Sequence, residues 1–502
     1  MDTKKLKQKV LDLAIRGKLV PQDPNDEPAS KLLERIYAEK QKLIAEGKIK
    51  KEKRSSFIFK GEDNSYYEKV VENGKETIRD ITDEIPFDIP ETWAWSRLGS
   101  VGTVFSGGTP STRNNDYWNG NIPWITPADL TDYNDMYISS GRKNISELGL
   151  KESSACYIPT GSVIYSSRAP IGYIVISKNE ITTNQGFKSI FPTIPEMNKY
   201  IYYVLKSLTP LIKKCASGTT FKEISASSFG NVLFPIPPVE EQKRIVSIIE
   251  NLKNQIADIN NAYNTLSAKI DQTKSKLLDL AIRGKLLPQN PNDEPASALL
   301  ERIREEQEST KTKRKSIGSY IFKGGDNLYY EKIGSETKCI QDEIPFDIPA
   351  NWAWCRLLEI CKVYQPKTIS TRQMVVDGEF VVFGANGIIG RYNEYNHKEA
   401  EVLITCRGAT CGAINVSLPF SWINGNAMVI SPLYENIPSK SFLELYLKGI
   451  NMNEYITGTA QPQITREELS KMKLPIPPLE EQKRIVEYIS KANNQLDSML
   501  SE

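Results

Sequence analysis

The sequence predicts an α/β protein in which two mixed α+β lobes are separated by two long antiparallel coiled-coil helices and related by a pseudo-twofold internal repeat. Three observations support this prediction. Near-identical segments occur twice, a long heptad of apolar residues follows one of them, and short β-prone runs broken by Gly, Pro and Asn fill the regions between. Because the repeat unit is about half of the chain, a solenoid with units of roughly 20–50 residues is excluded.

The internal repeat extends over most of the chain. Residues 11–36 return at 278–303, an offset of 267, and FPIPPVEEQKRIV at 234–246 returns as LPIPPLEEQKRIV at 474–486, an offset of 240. The offset decreases along the chain, so the second copy is shorter than the first. We therefore expect two lobes of different size on a common framework.

A long helix is predicted after the first PIPP segment. Pro237 and Pro238 end the preceding strand, and Glu240 and Glu241 then lie in the first turn, where the positive end of the helix dipole favours them. Steps of three and four residues, broken only at Thr273, indicate the narrow apolar seam of a coiled coil. The seam residues are Ile245, Ile249, Leu252, Ile256, Ile259, Tyr263, Leu266, Ile270, Leu277 and Leu280.

The two ends of the chain carry the same seam. By the two offsets, residue 502 corresponds to position 262 and residue 1 to position 268. The first and last helices together therefore reproduce the central helix with five positions missing, and we expect the termini to lie close together. The predicted order is an N-terminal helical region at 1–52, a first lobe at 53–236, a central helical spacer at 237–312, a second lobe at 313–476 and a C-terminal helix at 477–502.

Composition excludes several classes of function. The chain has 64 Lys and Arg against 62 Asp and Glu, which is not the charge of a strongly cationic DNA-wrapping protein. No run approaches 18 apolar residues and the N-terminus has no signal-peptide core, so we expect a cytoplasmic protein. Seven cysteines without a CxxC spacing argue against a disulfide framework or a zinc site. The single histidine, His397, lies in a polar stretch and is expected to be a solvated surface group.

No catalytic signature is recognisable in the sequence. The two RGKL segments lack the first glycine and the hydroxyl residue of a phosphate-binding loop, and neither GxGxxG after a strand nor HExxH occurs. One histidine leaves Ser-His-Asp and Cys-His arrangements almost without material. The Asn/Asp-Pro-Pro-aromatic motif of amino-methyltransferases is also absent. We therefore predict a chain with no catalytic residue, no metal site and no cofactor of its own.

The polar loops of both lobes have the chemistry that reads DNA. Arg matches the major-groove edge of guanine, Asn and Gln match adenine, and hydroxyl groups and Lys hold phosphates. Each loop taken alone is also ordinary turn chemistry, so the prediction depends on the recurrence of such loops at matched places in both copies. The predicted DNA-binding residues are Thr109, Ser111, Arg113, Ser166, Ser167, Arg168, Thr183, Asn184, Gln185, Thr219, Thr220 and Lys222 in the first lobe, and Asn386, Arg407, Asn424, Asn426, Thr459, Gln461 and Gln463 in the second.

Two further features recur in both copies. Trp93 and Trp95 of the first copy have the same context as Trp352 and Trp354 of the second, which indicates structural packing rather than base stacking. The repeated Asn-Asp-Glu-Pro-Ala-Ser segments are typical of helix starts. Because these segments are almost identical while the lobes diverge, a partner-binding surface used twice is the alternative interpretation.

Taken together, these segments resemble the specificity subunit of type I restriction–modification systems over essentially the whole chain. The resemblance rests on SGGTPSTRNNDYWNGNIPWITPADL (106–130), IYSSRAPIGYIVISKNEITTNQGFKSIF (164–191), FGANGIIGRYNEY (383–395) and the doubled PIPPxEEQKRIV segment. It implies two target-recognition domains that each read one half of a split site on double-stranded DNA. It also implies that the helices set the length of the unread gap between the two halves.

The resemblance implies partners as well. The family's subunit is not catalytic and holds two methyltransferase subunits, which two ATP-driven motor nucleases can join; S-adenosylmethionine, ATP and Mg are then expected in those partners and not in this chain. Two other interpretations stay open from the sequence. One is a non-enzymatic scaffold whose two lobes bind protein, and the other is a DNA-binding regulator that acts without a methyltransferase.

Overall fold

Two compact units make up the chain, Met1–Asn260 and Asn261–Glu502. Each unit contains the same parts in the same order, namely helices, a small three-stranded sheet, an α/β lobe and a further helix. The predicted division into two repeated lobes with mixed α/β structure is therefore confirmed. Among the residues that are described, no helix is both long and apolar enough to cross a membrane. The computed structural model describes residues 3–50, 54–168, 170–214, 216, 223–309, 319–458 and 461–501.

The helices of the first unit begin and end where local chemistry requires it. Pro28 precedes the second helix, whose first residue donates its backbone N–H to Thr92 O at 3.0 Å. The turn after the first helix needs a glycine, because Gly17 has a φ of +65° and a Cβ there would lie 2.3 Å from the ring of Pro90. The helices are α1 (Thr3–Ile15), α2 (Ala29–Ala45), α3 (Glu147–Lys151), α4 (Asn198–Lys214), α5 (Ala226–Gly230) and α6 (Val239–Ile282), of which α6 continues into the second unit.

The long central helix predicted from the heptad is confirmed, since α6 continues for 44 residues without a break. Its seam is not buried along the whole length. Ile245, Ile249, Ile256 and Ile270 are buried, whereas the seam residues Ile259, Tyr263 and Leu266 are each more than one third exposed. The joining of the first and last helices into a second long helix stays a prediction.

A small antiparallel sheet precedes the first lobe and is anchored to it by a buried ion-pair network. The Glu68 carboxylate, which is fully buried, accepts hydrogen bonds from Arg97 Nε at 3.0 Å and Arg79 Nε at 3.0 Å. Burial alone would raise the pKa of Glu68, but the hydrogen bonds from the two guanidinium groups outweigh it and lower the pKa to about 2. The strands are β1 (Arg54–Lys60), β2 (Tyr66–Glu72) and β3 (Lys75–Asp80), in the order β1-β2-β3.

The first lobe is built around a five-stranded mixed sheet of order β5-β12-β9-β10-β7. The helix α4 packs against this sheet and contributes buried Tyr200, Leu205 and Leu208 to its core. A second sheet has the order β11-β6-β8, and β13 pairs with β4. The strands are β4 (Ala94–Arg97), β5 (Gly102–Ser106), β6 (Trp118–Ile125), β7 (Tyr137–Ile138), β8 (Lys143–Ile145), β9 (Val163–Ser166), β10 (Ile174–Ser177), β11 (Thr182–Thr183), β12 (Phe187–Pro192) and β13 (Leu233–Ile236).

The second unit repeats this plan with fewer strands. Its small sheet has the order β14-β15-β16, and its lobe contains sheets of order β18-β24-β21-β22 and β20-β19-β23, with β17 paired to β25. The strands are β14 (Ser319–Lys323), β15 (Tyr329–Ile333), β16 (Glu336–Cys339), β17 (Ala353–Arg356), β18 (Cys361–Tyr364), β19 (Phe380–Gly384), β20 (Gly387–Tyr392), β21 (Val402–Thr405), β22 (Ile414–Val416), β23 (Trp422–Ile423), β24 (Ala427–Pro432) and β25 (Lys473–Ile476).

Two helices of the second unit form an antiparallel pair. Lys274 of α6 contacts Asp497 of the last helix at 2.5 Å. Ala281, seven residues later in α6, shares an apolar cluster with Ile485, which lies twelve residues before Asp497 in the last helix. Contact between a later residue of one helix and an earlier residue of the other requires opposite directions. The helices of this unit, besides the end of α6, are α7 (Ala296–Ser309), α8 (Leu357–Ile360), α9 (Lys440–Gly449), α10 (Arg466–Ser470) and α11 (Leu479–Ser501).

A buried glutamate in the first turn of α6 ties the helix to the loops packed against it. Glu241 accepts hydrogen bonds from Trp93 Nε1 at 2.9 Å and Gln22 Nε2 at 2.6 Å. In the second unit, Glu481 accepts the equivalent bonds from Trp352 and a glutamine. Burial raises the pKa of Glu241. Helix-start electrostatics therefore explains only part of the role of this residue, because its carboxylate also satisfies two buried donors.

Candidate nucleic-acid interface

Three loops of the first lobe meet where β5 and β9 end and β12 begins, at one end of these neighbouring strands of the main sheet. The N–H of Gly108 donates to Thr183 O at 2.8 Å, and the N–H of Ser167 donates to Gly186 O at 2.8 Å. This approach is too close for a side chain, since a Cβ at Gly107 would lie 2.0 Å from Asn184 O. The glycines of the sequence Ser-Gly-Gly-Thr-Pro therefore hold the first loop against the turn between β11 and β12.

The meeting loops present several of the predicted residues to solvent. Thr109 Oγ1 hydrogen-bonds Gln185 Oε1, which joins the first loop to the β11–β12 turn. Asn184 Oδ1 accepts the N–H of Gly186 at 2.9 Å and so shapes that turn. Arg168 is about one third exposed. Ser111, Arg113 and Gln185 are exposed as well.

Three other predicted residues of this lobe face the protein interior. Ser166, Ser167 and Thr183 have no exposed surface. Ser166 Oγ donates to Pro170 O at 2.7 Å, and Ser167 Oγ donates to Gly186 O at 3.1 Å. In this structure the two serines shape the loops, and a buried hydroxyl cannot contact a nucleic acid directly. The sequence could not show that these hydroxyl groups are buried, because a Gly- and Pro-rich loop has the same residue types whether its hydroxyl groups face solvent or the interior.

Two residues that the sequence analysis did not select lie within the same cluster. Glu223 contacts Arg168 Nη1 at 3.6 Å and Lys188 Nζ at 3.4 Å. Lys188 is almost completely buried and also donates to Gln185 O at 3.1 Å. Only the tertiary structure brings these residues together, because 35 residues separate Lys188 from Glu223.

The second lobe assembles an equivalent set of loops. Arg407 forms an isolated antiparallel bridge with Gln463, and the N–H of Gly408 donates to Pro462 O at 3.2 Å. Asn386 lies in the turn between β19 and β20. The exposed predicted residues of this lobe are Asn386, Arg407, Asn426, Gln461 and Gln463.

Asn424 is the exception among the predicted residues of the second lobe. It is buried, and its side chain accepts the N–H of Ile369 at 2.9 Å and donates to Ile369 O at 3.1 Å. This pair of hydrogen bonds fixes the backbone of a neighbouring loop. Asn424 therefore orders the second lobe instead of facing solvent.

Some predicted positions cannot be placed. Thr219, Thr220 and Lys222 of the first lobe and Thr459 of the second lie outside the described residues. Their proposed contact with DNA rests on the sequence alone.

The predictions for His397 and the repeated tryptophans have opposite outcomes. His397 is half-buried instead of solvated, with Nε2 at 2.8 Å from Tyr364 Oη and Nδ1 at 2.6 Å from Asn396 Oδ1. Burial lowers the pKa of His397.

The packing role predicted for Trp95 and Trp354 is confirmed, since both are 1% exposed.

Comparison with known proteins gives one family for both units. The family model described as "Type I restriction modification DNA specificity domain" matches residues 90–268 and 349–500. The specificity subunit of type I restriction enzyme EcoAI from Escherichia coli is 26% identical over 563 residues, covering 96% of this chain and 87% of that protein. The MjaIX specificity subunit of Methanocaldococcus jannaschii is 43% identical over 176 residues, and the EcoEI specificity subunit of Escherichia coli is 30% identical over 414 residues. The matched parts cover 41% and 61% of these two relatives.

Solved structures share the fold. A chain from a structure described as "Structural basis underlying complex assembly and conformational transition of the type I R-M system" aligns with a TM-score of 0.56 and 19% identity, covering 83% of this chain and 94% of that chain. The HsdS subunit from Thermoanaerobacter tengcongensis aligns with a TM-score of 0.50 and 18% identity, covering 82% and 92% of the two chains. At these identities the likeness shows the fold alone.

Proposed function

The chain belongs to the type I restriction–modification DNA specificity family, and from this premise we propose that each of its units reads one half of a bipartite site on double-stranded DNA. The family consists of non-catalytic recognition subunits. One observation supports the two-part site most directly: the family's domain occurs twice, with near-identical framework segments but different loops. Two readers with the same scaffold and different loops are suited to two different half-sites.

We assign direct DNA contact to the exposed members of the two loop clusters. Arg168 and Arg407 have the donor geometry for guanine in the major groove. Gln185 and Asn426 have amides that suit adenine. The remaining candidates are assigned to bases or to the phosphates that set the register; Ser111, Arg113, Asn386, Gln461 and Gln463 are exposed, and Thr109 and Asn184 are half-buried. Thr219, Thr220, Lys222 and Thr459 keep the same assignment from the sequence.

The helical segments between the two lobes are proposed to set the length of the unread gap. Support comes from the continuity of α6 over 44 residues and from its place in the chain, after the last strand of the first lobe and before the strands of the second. A helix rises about 1.5 Å per residue, so its length is a fixed spacing that the sequence encodes. The near-balanced charge of the chain also suits a reader whose attachment to DNA is shared with partner subunits.

The partners are proposed from the same premise. Two methyltransferase subunits that use S-adenosylmethionine would each bind one copy of the duplicated framework, because duplicated surfaces suit duplicated partners. Motor nuclease subunits that use ATP and Mg would join through them. This chain itself would bind no cofactor. We place the complex in the cytoplasm, which fits the six described cysteines, all of them free thiols.

Selection from random DNA duplexes tests the proposal. The full chain is used alone and together with its methyltransferase partner, and we expect two short blocks separated by a fixed gap. Arg168→Ala should relax selection in one block only and Arg407→Ala in the other, each by about 1–3 kcal/mol of discrimination at one base pair. An absence of enrichment with and without the partner would refute the split-site reader and favour the protein-binding scaffold.

A further inference from the structure

The two units place an arginine beside a polar residue at the same point of the fold. In the first unit, the N–H of Ile224 donates to Ser167 O at 3.1 Å, which brings residue 223 next to Arg168. In the second unit, the N–H of Ile464 donates to Cys406 O at 3.0 Å, which brings Gln463 next to Arg407. Glu223 and Gln463 are therefore structural equivalents, separated by the repeat offset of 240.

The buried residue beneath Glu223 in the first unit also differs from the buried residue at the equivalent place in the second unit. Lys188 on β12 lies under Glu223, and its equivalent on β24 at the same offset is Met428. Lys188 and Met428 are both almost completely buried. The first unit thus has an ion pair, Lys188 with Glu223, where the second has the neutral pair Met428 and Gln463.

An acidic side chain at this place is not explained by affinity for DNA, which leaves two explanations, pairing with the buried Lys188 and recognition of a base. Glu223 is 39% exposed and adjoins the Arg168 guanidinium, which we propose to read a base, and a carboxylate at that place repels phosphates. The ion pair with the partly exposed Arg168 contributes little to folding, whereas the buried Lys188 requires a counter-ion. A carboxylate does, however, accept hydrogen bonds from the exocyclic amino group of a base, and an amide both donates and accepts.

We propose that Glu223 and Gln463 are specificity-determining residues, each reading the base pair next to the one read by its neighbouring arginine. Glu223 accepts from the N4 amino group of cytosine, and Gln463 pairs with the N6 and N7 atoms of adenine. Lys188 holds the Glu223 carboxylate in place from below. This inference rests on the proposed function of reading a split DNA site.

The alternative is that Glu223 only neutralises the buried Lys188. The double variant K188M/E223Q separates the two explanations, because it converts the pair into the residues of the second unit and leaves no buried charge unpaired. If Glu223 reads a base, the double variant still loses the wild-type preference. If Glu223 is only a counter-ion for Lys188, the double variant keeps the wild-type base preference.

The test is duplex selection by the full chain with its methyltransferase partner. Wild type, E223Q, K188M/E223Q and Q463E are compared, with E180Q as a control that removes one exposed carboxylate of the same lobe. Thermal unfolding checks that each variant is folded. We expect E223Q and K188M/E223Q to change the preferred base at one position of one half-site by about tenfold or more, Q463E to do so in the other half-site, and E180Q to change neither.

Three results would overturn the assignment. One is the wild-type preference in folded K188M/E223Q, a second is unchanged selection in Q463E, and a third is a change in both half-sites from one variant. Failure of the wild-type protein to select any split site would instead refute the proposed function, and the assignment with it.

Discussion

Replacing Glu68 with Gln is expected to destabilise the small sheet β1–β3 of the first unit. The Glu68 carboxylate is fully buried and bonded to both Arg97 and Arg79. Arg97 is itself buried. The substitution keeps the shape of the side chain but removes the charge that compensates two guanidinium groups. A buried charge that loses its partner costs much more than the loss of an exposed ion pair.

The size of the effect follows from the pKa of Glu68. A decrease from 4.5 to about 2, at about 1.4 kcal/mol per unit, corresponds to about 3 kcal/mol of preference for the charged form in the folded protein. Arg97 keeps Glu84 as a partner at 2.9 Å, and Arg79 is half exposed, so part of this loss is compensated. We expect a local destabilisation of about 2–3 kcal/mol.

Hydrogen exchange of backbone amides is the suitable assay, because it measures local opening in a chain of several domains. Amides of β1–β3 should exchange on the order of 100-fold faster in E68Q than in the wild-type protein at neutral pH. The second unit supplies a matched control. Glu331 is bonded to Arg356 at 3.1 Å in the equivalent place, and E331Q should affect β14–β16 and leave β1–β3 unchanged.

The reasoning would be refuted by exchange in β1–β3 that stays within about threefold of wild type in folded E68Q. It would also be refuted by equal changes in both small sheets. Either result would show that the ion-pair network does not anchor the sheet to the lobe.

Three further predictions concern acid stability, the spacer and the independence of the lobes. Because the folded-state pKa of Glu68 lies below 4.5, its stabilisation is complete above pH 4.5 and is lost as the pH falls towards 2. Protection of the β1–β3 amides, taken relative to the intrinsic exchange rate at each pH, should therefore decrease at a higher pH than protection of the β9 amides. Inserting one heptad near the middle of α6 adds about 10 Å and should lengthen the selected gap by about three base pairs, while an unchanged gap would contradict the spacer role. Replacing residues 96–230 with the lobe of a relative should alter one selected half-site only, and altered selection in both would show that the lobes are coupled.

Much of the architecture could be predicted because its signals are repeated or periodic in the chain. The duplicated segments predicted two units of one plan, and the heptad predicted the continuous α6. The β-prone run Val163–Ser166 is β9, and Val402–Thr405 is β21. These features depend on neighbours close in sequence, so periodicity and turn residues are enough to specify them.

The candidate site could be predicted as a set of loops but not residue by residue. Arg168 and Arg407 lie at the surface of their lobes. Ser167 and Asn424 are buried, and their side chains form hydrogen bonds with backbone atoms. Hydroxyl and amide residues in a turn serve equally well as internal hydrogen-bond partners or as exposed contacts. The choice between these roles depends on which strand packs behind the loop, and no local pattern records it.

The sequence by itself determined the internal repeat, the long central helix, the family and the general location of the recognition loops, because each is encoded in contiguous or periodic residues. Only the tertiary structure decided which polar side chains face solvent and which residues meet across the fold. The contact of Glu223 with Arg168 and Lys188, and its equivalence to Gln463, arise when β9, β12 and the segment after them are placed side by side. Such contacts join residues far apart in the chain, so their geometry exists only once the sheet has formed.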